Sequence, residues 1–149
     1  MSNKVALHNA CLQLVNEQLN VLTADLESLK ESRNNQTKSS VGDKHETARA
    51  LMQLEEGKML QQLHERKKVK TLLVAIDATE QCDIVKYGSL VITNKGNYYL
   101  SAPLGKILVN DQSYFALSTM APMAKAMLGL KAKDQFTFNG NAFEITGIS

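Results

Sequence analysis

The chain has few of the residues that define several protein classes. Its 149 residues include no Trp, two Pro and two Cys. Because Cys11 and Cys82 are far apart and no CxxC pair occurs, the sequence predicts neither a disulfide framework nor a zinc site, and we expect two free thiols. No apolar run approaches the ~18 residues of a membrane span, and the first residues lack the apolar core of a secretory signal. We therefore expect a cytoplasmic protein without a membrane partner.

Net charge is also small. Lys and Arg number 17 against 15 Asp and Glu, which leaves +2 at neutral pH. That charge is too small for a protein whose main work is to neutralise a nucleic-acid backbone along an extended face, so we expect no direct binding to duplex DNA. The chain is 44% hydrophobic and 21% charged. It can therefore bury a core, which excludes a disordered or collagen-like protein.

Aromatic residues are absent from the first 70 positions. All four Tyr and all four Phe occur from Tyr87 onward, as do both Pro and six of the eight Gly. The first 70 residues are instead rich in Leu, Gln, Glu and Lys. This change of composition predicts two domains, one covering residues 1–70 and the other covering residues 71–149.

Apolar residues in the N-terminal domain recur with alternating spacings of three and four. The pattern lasts four repeats and is typical of a coiled-coil helix, which we predict over about residues 5–33. At ~1.5 Å per residue this helix is roughly 44 Å long, too long to lie inside a small globule. The predicted seam consists of Val5, His8, Leu12, Val15, Leu19, Leu22, Leu26 and Leu29.

A second helical pattern of similar length follows a polar segment. Residues 34–42 have neither apolar periodicity nor strong helix formers, so we expect the chain to turn there. The second helix is predicted over about residues 43–70, which makes an antiparallel hairpin with its tip near residues 34–46. Each helix then covers the seam of the other. A seam this regular could also pair between chains, and of the two arrangements we favour the monomer. The predicted apolar face of the second helix is Ala48, Leu51, Met52, Met59 and Leu63.

The C-terminal domain has the composition and spacing of short β-strands. Runs rich in β-branched and aromatic residues are separated by turn signals at residues 94–97, at Asn110-Asp111 and at Asn139-Gly140. This alternation of runs and turns predicts an antiparallel sheet. The predicted strands cover residues 71–76, 89–93, 97–101, 106–109, 114–117, 135–138 and 142–145.

A single helix is predicted within the sheet region. Ser118 or Thr119 can cap its start, and Pro122 suits its first turn. Gly129 is placed to end it. Three methionines at helical spacing are expected to pack against the sheet rather than to bind a ligand. They are Met120, Met123 and Met127.

Sequence motifs for catalysis are sparse. There is no Gly-rich phosphate loop, no GxSxG elbow and no HExxH pair. The three histidines, His8, His45 and His64, all lie in the N-terminal domain. We interpret His8 and His64 as structural or solvated residues.

Two acids beside the predicted tip, Asp43 and Glu46, allow two interpretations. Asp-x-x-Glu at a helix start resembles a capping box, in which each side chain accepts from an early amide. Two carboxylates one helical turn apart can also share a hard divalent ion and leave positions open for water or phosphate. Such a pair binds Mg²⁺ weakly by itself, so the second interpretation requires another macromolecule to supply the remaining ligands.

Three segments resemble the bacterial Gre-type transcript cleavage factors. They are GDKHE at 42–46, VKYGSLV at 85–91 and APMAKAMLGLKAKD at 121–134. Members of that family place a coiled-coil hairpin before an FKBP-like sheet domain, which carries a motif of the form S-P-x-G-x-A-L-L-G-K-x-x-G-D. The order of segments and the total length agree over almost the whole chain. The resemblance therefore implies an α+β fold of this kind.

The resemblance also implies a partner and an activity. The sheet domain would dock on the rim of the largest subunit of RNA polymerase, and the hairpin would enter the secondary channel. Asp43 and Glu46 match the family's tip acids, the catalytic residues that help hold a Mg²⁺ shared with the polymerase. The polymerase's own endonuclease would then cleave a backtracked transcript, so the RNA 3′ end is an indirect partner. The residues that match the docking motif are Pro122, Ala126, Leu128 and Gly129.

Some positions depart from the family pattern and keep other functions open. The family continues Asn-Ala-Glu-Tyr after the second tip acid, whereas this chain has Arg49 and Ala50 at the last two of these positions. Both tip acids favour a cleavage factor, while Arg49 and Ala50 favour a secondary-channel regulator or inhibitor without cleavage activity. A prolyl isomerase or chaperone rests on the FKBP-like fold alone. The docking motif departs from the family at Ala121, Ala124 and Lys133.

Overall fold

The computed structural model of the chain describes residues 3–38 and 42–149, without the side chains of residues 36–38 and 42–45. Two long helices are followed by six strands, with one short helix between the fourth and fifth strands. This architecture confirms the predicted α+β fold class, a helical hairpin followed by a mostly antiparallel sheet with one short helix. Within the described residues, no helix is both long and apolar enough to cross a membrane.

The chain divides into two compact units. The sheet unit combines Met1–Leu14 with Val69–Ser149, and the hairpin unit is Val15–Lys68. The first turns of the N-terminal helix therefore group with the sheet.

Both long helices extend beyond their predicted limits. The first helix, α1, runs over Asn3–Lys38, and the second, α2, over Gly42–Val74. Residues 34–38 are thus helical, although we predicted a turn there, and residues 39–41 lie outside the described part of the chain. Polar residues continue a helix at little cost when the helix before them is already formed.

The predicted strand at 71–76 is wrong, because most of it belongs to the end of α2. Val69 and Leu73, one helical turn apart, are both buried in the sheet unit. Burial of this helical face overrides the local preference of the β-branched residues for a strand. The Tyr87 hydroxyl donates a hydrogen bond to the carbonyl of Leu72, one of the last carbonyls of the helix.

The other six predicted strands are present, with small shifts at their ends. They form one sheet in the order β3-β4-β2-β1-β6-β5, with β3 and β5 at its edges. The strands are β1 (Leu90–Thr93), β2 (Asn97–Leu100), β3 (Gly105–Val109), β4 (Gln112–Leu117), β5 (Gln135–Phe138) and β6 (Asn141–Ile148).

One strand pair departs from the antiparallel prediction. Strands β2 and β4 are parallel, with Tyr98 opposite Phe115 and Leu100 opposite Leu117. The β3–β4 hairpin docks on the sheet through its second strand, so that β4 rather than β3 lies beside β2. Its turn is formed by Asn110-Asp111, both with positive φ, as the turn signal predicted.

The sheet is covered on both faces. On one face it packs against the short helix α3 (Pro122–Met127), which buries Ala124 and Met127. On the other face, Tyr99 and Tyr114 hydrogen-bond to His8 and Asn3 of α1. The core beside α3 is formed by Val85, Val91, Leu100, Ala124, Met127 and Ile145.

The start of α3 differs from the prediction in its cap. Ala121 occupies the cap position, and Pro122 is the first helical residue. Ser118 instead accepts a hydrogen bond from the amide of Met120, in the turn before the helix. Met120 is therefore outside α3 and 70% exposed, so of the three methionines only Met123 and Met127 pack into the core.

Candidate functional site

The hairpin unit consists of two antiparallel helical segments. Arg33 of α1 forms an ion pair with Glu56 of α2. Closer to the start of α1, Gln18 accepts a hydrogen bond from Arg66, with 3.2 Å between Oε1 and Nη1. Positions later in α1 thus pair with positions earlier in α2. This order brings the end of α1 next to the start of α2, where Asp43 and Glu46 occur in the sequence.

In the hairpin unit, the residues of α1 that we predicted at the seam are buried or half-buried. In the sheet unit, a neighbouring face of α1 is buried instead. Val15 and Leu26 are buried, and the other seam leucines are half-buried. In contrast, Val5 is 39% exposed, because the first turns of α1 present a neighbouring face to the sheet. The residues that this face buries are Lys4, Leu7, His8 and Cys11.

The seam of α2 includes two charged residues that the sequence reading missed. Leu51, which we assigned to the apolar face, is 63% exposed, and the prediction for this residue is wrong. Glu56 and Arg66 are instead half-buried, at positions that continue the spacing of the other seam residues. A heptad count that allowed polar residues would have found both. The half-buried seam is Ala48, Met52, Glu56, Met59, Leu63 and Arg66.

The ion pair joins charges that both occupy seam positions. Arg33 lies four residues after Leu29 and so extends the heptad pattern of α1. The side chains of Arg33 and Glu56 are 29% and 15% exposed. Polar residues at seam positions select one register, because any other register leaves a charge against apolar side chains. The pair thus aligns the two helices near their connected ends.

The two candidate acids lie at the start of α2. Asp43 belongs to the first turn and Glu46 follows one turn later. Because the helix already begins at Gly42, Asp43 is inside the helix rather than at the capping position before it. Glu46 is exposed, whereas the side chain of Asp43 lies outside the described residues. Acids at this end of a helix are favoured by its dipole.

The donor atoms at this end suit a hard cation. Carboxylate oxygens are the ligands that Mg²⁺ prefers, and Mg²⁺ commonly keeps several waters beside one or two carboxylates. Among the side chains that the structure describes, no group of three or more His, Cys, Asp or Glu could hold a metal ion. Glu46 is an exposed carboxylate and belongs to no such group among the described residues.

Basic residues surround the same segment of sequence. Arg49 is exposed and lies three residues after Glu46 on α2, the spacing of neighbours on one helix face. Lys38 and Lys44 flank the connection, and their side chains lie outside the described residues. The charge at this end is therefore mixed in sign.

The four candidate docking residues lie around α3 and the turn that follows it. Pro122 and Gly129 are exposed, Leu128 is 39% exposed, and Ala126 is half-buried. The opposite side of α3 faces the core. Gly129 has φ +85°, and its amide donates to the carbonyl of Val85 at 2.9 Å, which fixes the turn after the helix. These residues form a surface that a partner can reach.

The histidines agree with their structural interpretation where they are described. His8 is buried, and its Nδ1 lies 2.7 Å from the Tyr99 hydroxyl. Burial, together with the positive charge of Lys4, lowers the pKa of His8 below its usual 6.5. His64 is exposed, and the side chain of His45 lies outside the described residues.

Comparison with known proteins gives structural similarity at low sequence identity. No protein-family model matches the chain, and no curated protein matches it. One similar solved structure is the transcription factor Gfh1, with 16% identity, 93% of each chain covered and a TM-score of 0.40. Another is GreA factor homolog 1 (Gfh1) of Thermus thermophilus, with 14% identity over 94% of this chain and 95% of the other, and a TM-score of 0.40. Gfh1 of Thermus aquaticus has 15% identity, 94% coverage of each chain and a TM-score of 0.36.

Proposed function

We propose that the protein is a bacterial Gre-type transcription elongation factor, which binds RNA polymerase through the secondary channel and stimulates cleavage of backtracked RNA. The proposal is carried by the position of Asp43 and Glu46, one helical turn apart at the connected end of an antiparallel hairpin. Support comes from the exposure of Glu46 and from the order of hairpin and sheet along the chain.

The role proposed for Asp43 and Glu46 follows from the small number of ligands that two carboxylates can supply. Asp43 and Glu46 supply oxygen ligands on one short helical segment, and the polymerase supplies the rest. When bound there, Mg²⁺ lowers the pKa of an attacking water and stabilises charge on the phosphate. The helix fixes the spacing of the two carboxylates, and the Arg33–Glu56 pair fixes the register that aligns the connected ends. The protein thus completes a site rather than acting as an enzyme by itself.

The role proposed for the sheet unit is docking. Pro122, Ala126, Leu128 and Gly129 lie on the side of α3 and its following turn that is turned away from the core. A surface that mixes apolar side chains with a rigid turn suits a protein partner. We assign it to the rim of the largest polymerase subunit.

A secondary-channel regulator without cleavage activity is the second candidate function. It is favoured by Arg49, whose exposed guanidinium follows Glu46 by one turn of α2. A positive charge at that distance competes with a cation for the carboxylate. Such a factor would slow elongation and leave the transcript uncut.

The test uses a stalled, backtracked elongation complex of the cognate polymerase, with Mg²⁺ and radiolabelled RNA. We expect the wild-type protein to shorten the RNA and Asp43→Asn and Glu46→Gln to lose most of this activity. Glu55→Gln is the matched control, since Glu55 is an exposed acid farther along α2. Equal cleavage by all variants would contradict the proposed role of the two acids. Slower elongation without shortened RNA would support the regulator instead.

A further inference from the structure

A buried lysine and a buried cysteine lie side by side in the sheet unit. Lys4 of α1 is fully buried, and its Nζ donates a hydrogen bond to the carbonyl oxygen of Glu80 at 2.8 Å. The same Nζ lies 3.7 Å from Sγ of Cys82, which is 4% exposed. The amine and the thiol are thus in direct non-bonded contact.

A small cavity gives solvent access to this pair. It has a volume of about 140 Å³ and is bordered by Lys4, Cys82, Tyr87 and the exposed residues Asp77 and Glu80. A cavity of ~15 Å³ is enough to hold one water, so this one has room for several molecules of that size. Hydrogen peroxide is only slightly larger than water. It can therefore reach Cys82 although the thiol is nearly buried.

We propose that Lys4 and Cys82 form a covalent sulfur–nitrogen cross-link when the protein is oxidised by hydrogen peroxide. In the first step Cys82 loses its proton, the thiolate sulfur attacks peroxide and the O–O bond breaks. The departing oxygen takes up the proton, and the products are a sulfenic acid and one water. In the second step the Lys4 amine, after losing a proton to solvent, attacks the sulfur and displaces a second water. Sulfur is oxidised by two electrons and peroxide is reduced to two waters. Condensation of a sulfenic acid with a nitrogen is known chemistry for cysteine.

The bond would join the first turn of α1 to the segment that precedes β1. Like a disulfide, a link between residues 4 and 82 restricts the unfolded chain and so stabilises the folded one. Added thiol reverses it, because a thiol attacks the sulfur and releases the amine, and a second thiol frees Cys82. The site is thus a reversible, oxidation-dependent cross-link within the sheet unit.

Cys11 offers a matched comparison within the same unit. It is fully buried and does not border the cavity. Burial raises its pKa to about 11, so it stays a thiol at neutral pH. Because peroxide in the cavity does not meet Cys11, and because the thiolate is the reactive form, we expect Cys11 to resist the same treatment.

The experiment treats the full-length protein with hydrogen peroxide and analyses its proteolytic peptides by mass spectrometry. We expect one cross-linked species that joins the peptides of Lys4 and Cys82. Its mass should be lower than the sum of the two peptide masses by two hydrogen atoms. Treatment with dithiothreitol should convert it back to the two separate peptides. Cys11→Ala should keep this species, while Cys82→Ser and Lys4→Arg should lose it. The oxidised wild type should melt about 10 °C higher than the reduced form.

Two results would overturn the inference. One is a wild-type Cys82 that is oxidised to unlinked sulfenic or sulfinic acid, or that is not modified at all. The other is a disulfide between Cys82 and Cys11. Both are read from the wild-type protein, so the test does not depend on whether a variant folds.

Discussion

The two units of the chain differ in how deeply they bury charged and polar residues. In the sheet unit, Lys4 and His8 are buried, with hydrogen-bond partners at 2.8 and 2.7 Å. In the hairpin unit, the Arg33–Glu56 pair keeps partial exposure, and Glu46 is exposed. Buried polar groups are costly to leave without partners, whereas exposed ones are replaced at little cost. Substitution of exposed polar residues in the hairpin unit should therefore cost less stability than substitution of Lys4 or His8.

The apolar residues show the same contrast. The core beside α3 contains six buried side chains from five different parts of the sheet unit. Within residues 15–68, by contrast, the only buried residues among those described are Val15 and Leu26. Two helices with a half-buried seam gain less from burial per residue than a sheet covered on both faces. We expect the effects of substitution to differ accordingly.

The largest effect is expected in the core of the sheet unit. Leu100 is fully buried, so Leu100→Ala loses apolar burial and leaves a cavity. We expect it to lower the free energy of unfolding by about 3 kcal/mol. Leu108→Ala is the matched control, because Leu108 is 66% exposed, and it should change stability by less than about 0.5 kcal/mol. Urea denaturation followed by tyrosine fluorescence measures both, and equal losses would contradict the assigned core.

A smaller effect is expected from the protonation of His8. Because the folded state lowers the pKa of His8 below 6.5, the unfolded chain binds the proton more readily. The contribution of neutral His8 is fully present above pH 6.5 and is lost as the pH falls below that value. We expect the urea midpoint of the wild type to fall between pH 7.5 and pH 5.5 by more than that of His8→Gln. Parallel pH profiles would show that His8 is not the residue responsible.

The seam ion pair should contribute less again, because it is partly exposed. A double-mutant cycle with Arg33→Ala and Glu56→Ala should give a coupling free energy of about 1 kcal/mol. The exposed pair Lys68–Glu65, with 3.8 Å between Nζ and Oε1, is the control and should give a coupling near zero. Thermal unfolding followed by circular dichroism measures both cycles. If the coupling free energy of the Arg33–Glu56 pair is no larger than that of the control pair, the Arg33–Glu56 pair does not fix the register.

The smallest effect on stability is expected from substitution of Glu46, an exposed residue of the hairpin unit. Glu46 is exposed near the start of α2, so Glu46→Gln loses only a favourable charge at the helix N-terminus. We expect a change of less than about 0.5 kcal/mol in the free energy of unfolding. Calorimetry of the full chain measures this. A large loss would indicate that Glu46 has a structural role and would weaken its use as a functional probe.

The sequence predicted the strands and turns better than it predicted which residues meet across the fold. Asn139-Gly140 forms the β5–β6 turn in the structure, as the sequence predicted, because a turn that needs positive φ favours these two residues wherever it lies. The parallel β2–β4 pair depends on which strand of a hairpin docks, and no local period encodes that choice. The burial of Lys4 in place of Val5 was also missed, since a heptad pattern indicates a face and not its partner.

For the candidate site, the sequence supplied Asp43 and Glu46 and their helical spacing, which α2 contains. It did not supply the alignment of the two helices, because Arg33 and Glu56 are polar and were left out of the apolar seam. Charged residues at seam positions are visible in a sequence only when the heptad is counted through them.

The most direct measurement of the central claim is the Mg²⁺ dependence of RNA cleavage in a backtracked elongation complex. If Glu46 supplies a ligand, Glu46→Gln should raise the Mg²⁺ concentration for half-maximal cleavage by about tenfold or more, by analogy with the loss of other groups that support metal binding. Glu55→Gln should leave that concentration at the wild-type value. The Mg²⁺ requirement should thus differ between the two variants. The same Mg²⁺ requirement for the wild type, Glu46→Gln and Glu55→Gln would contradict it.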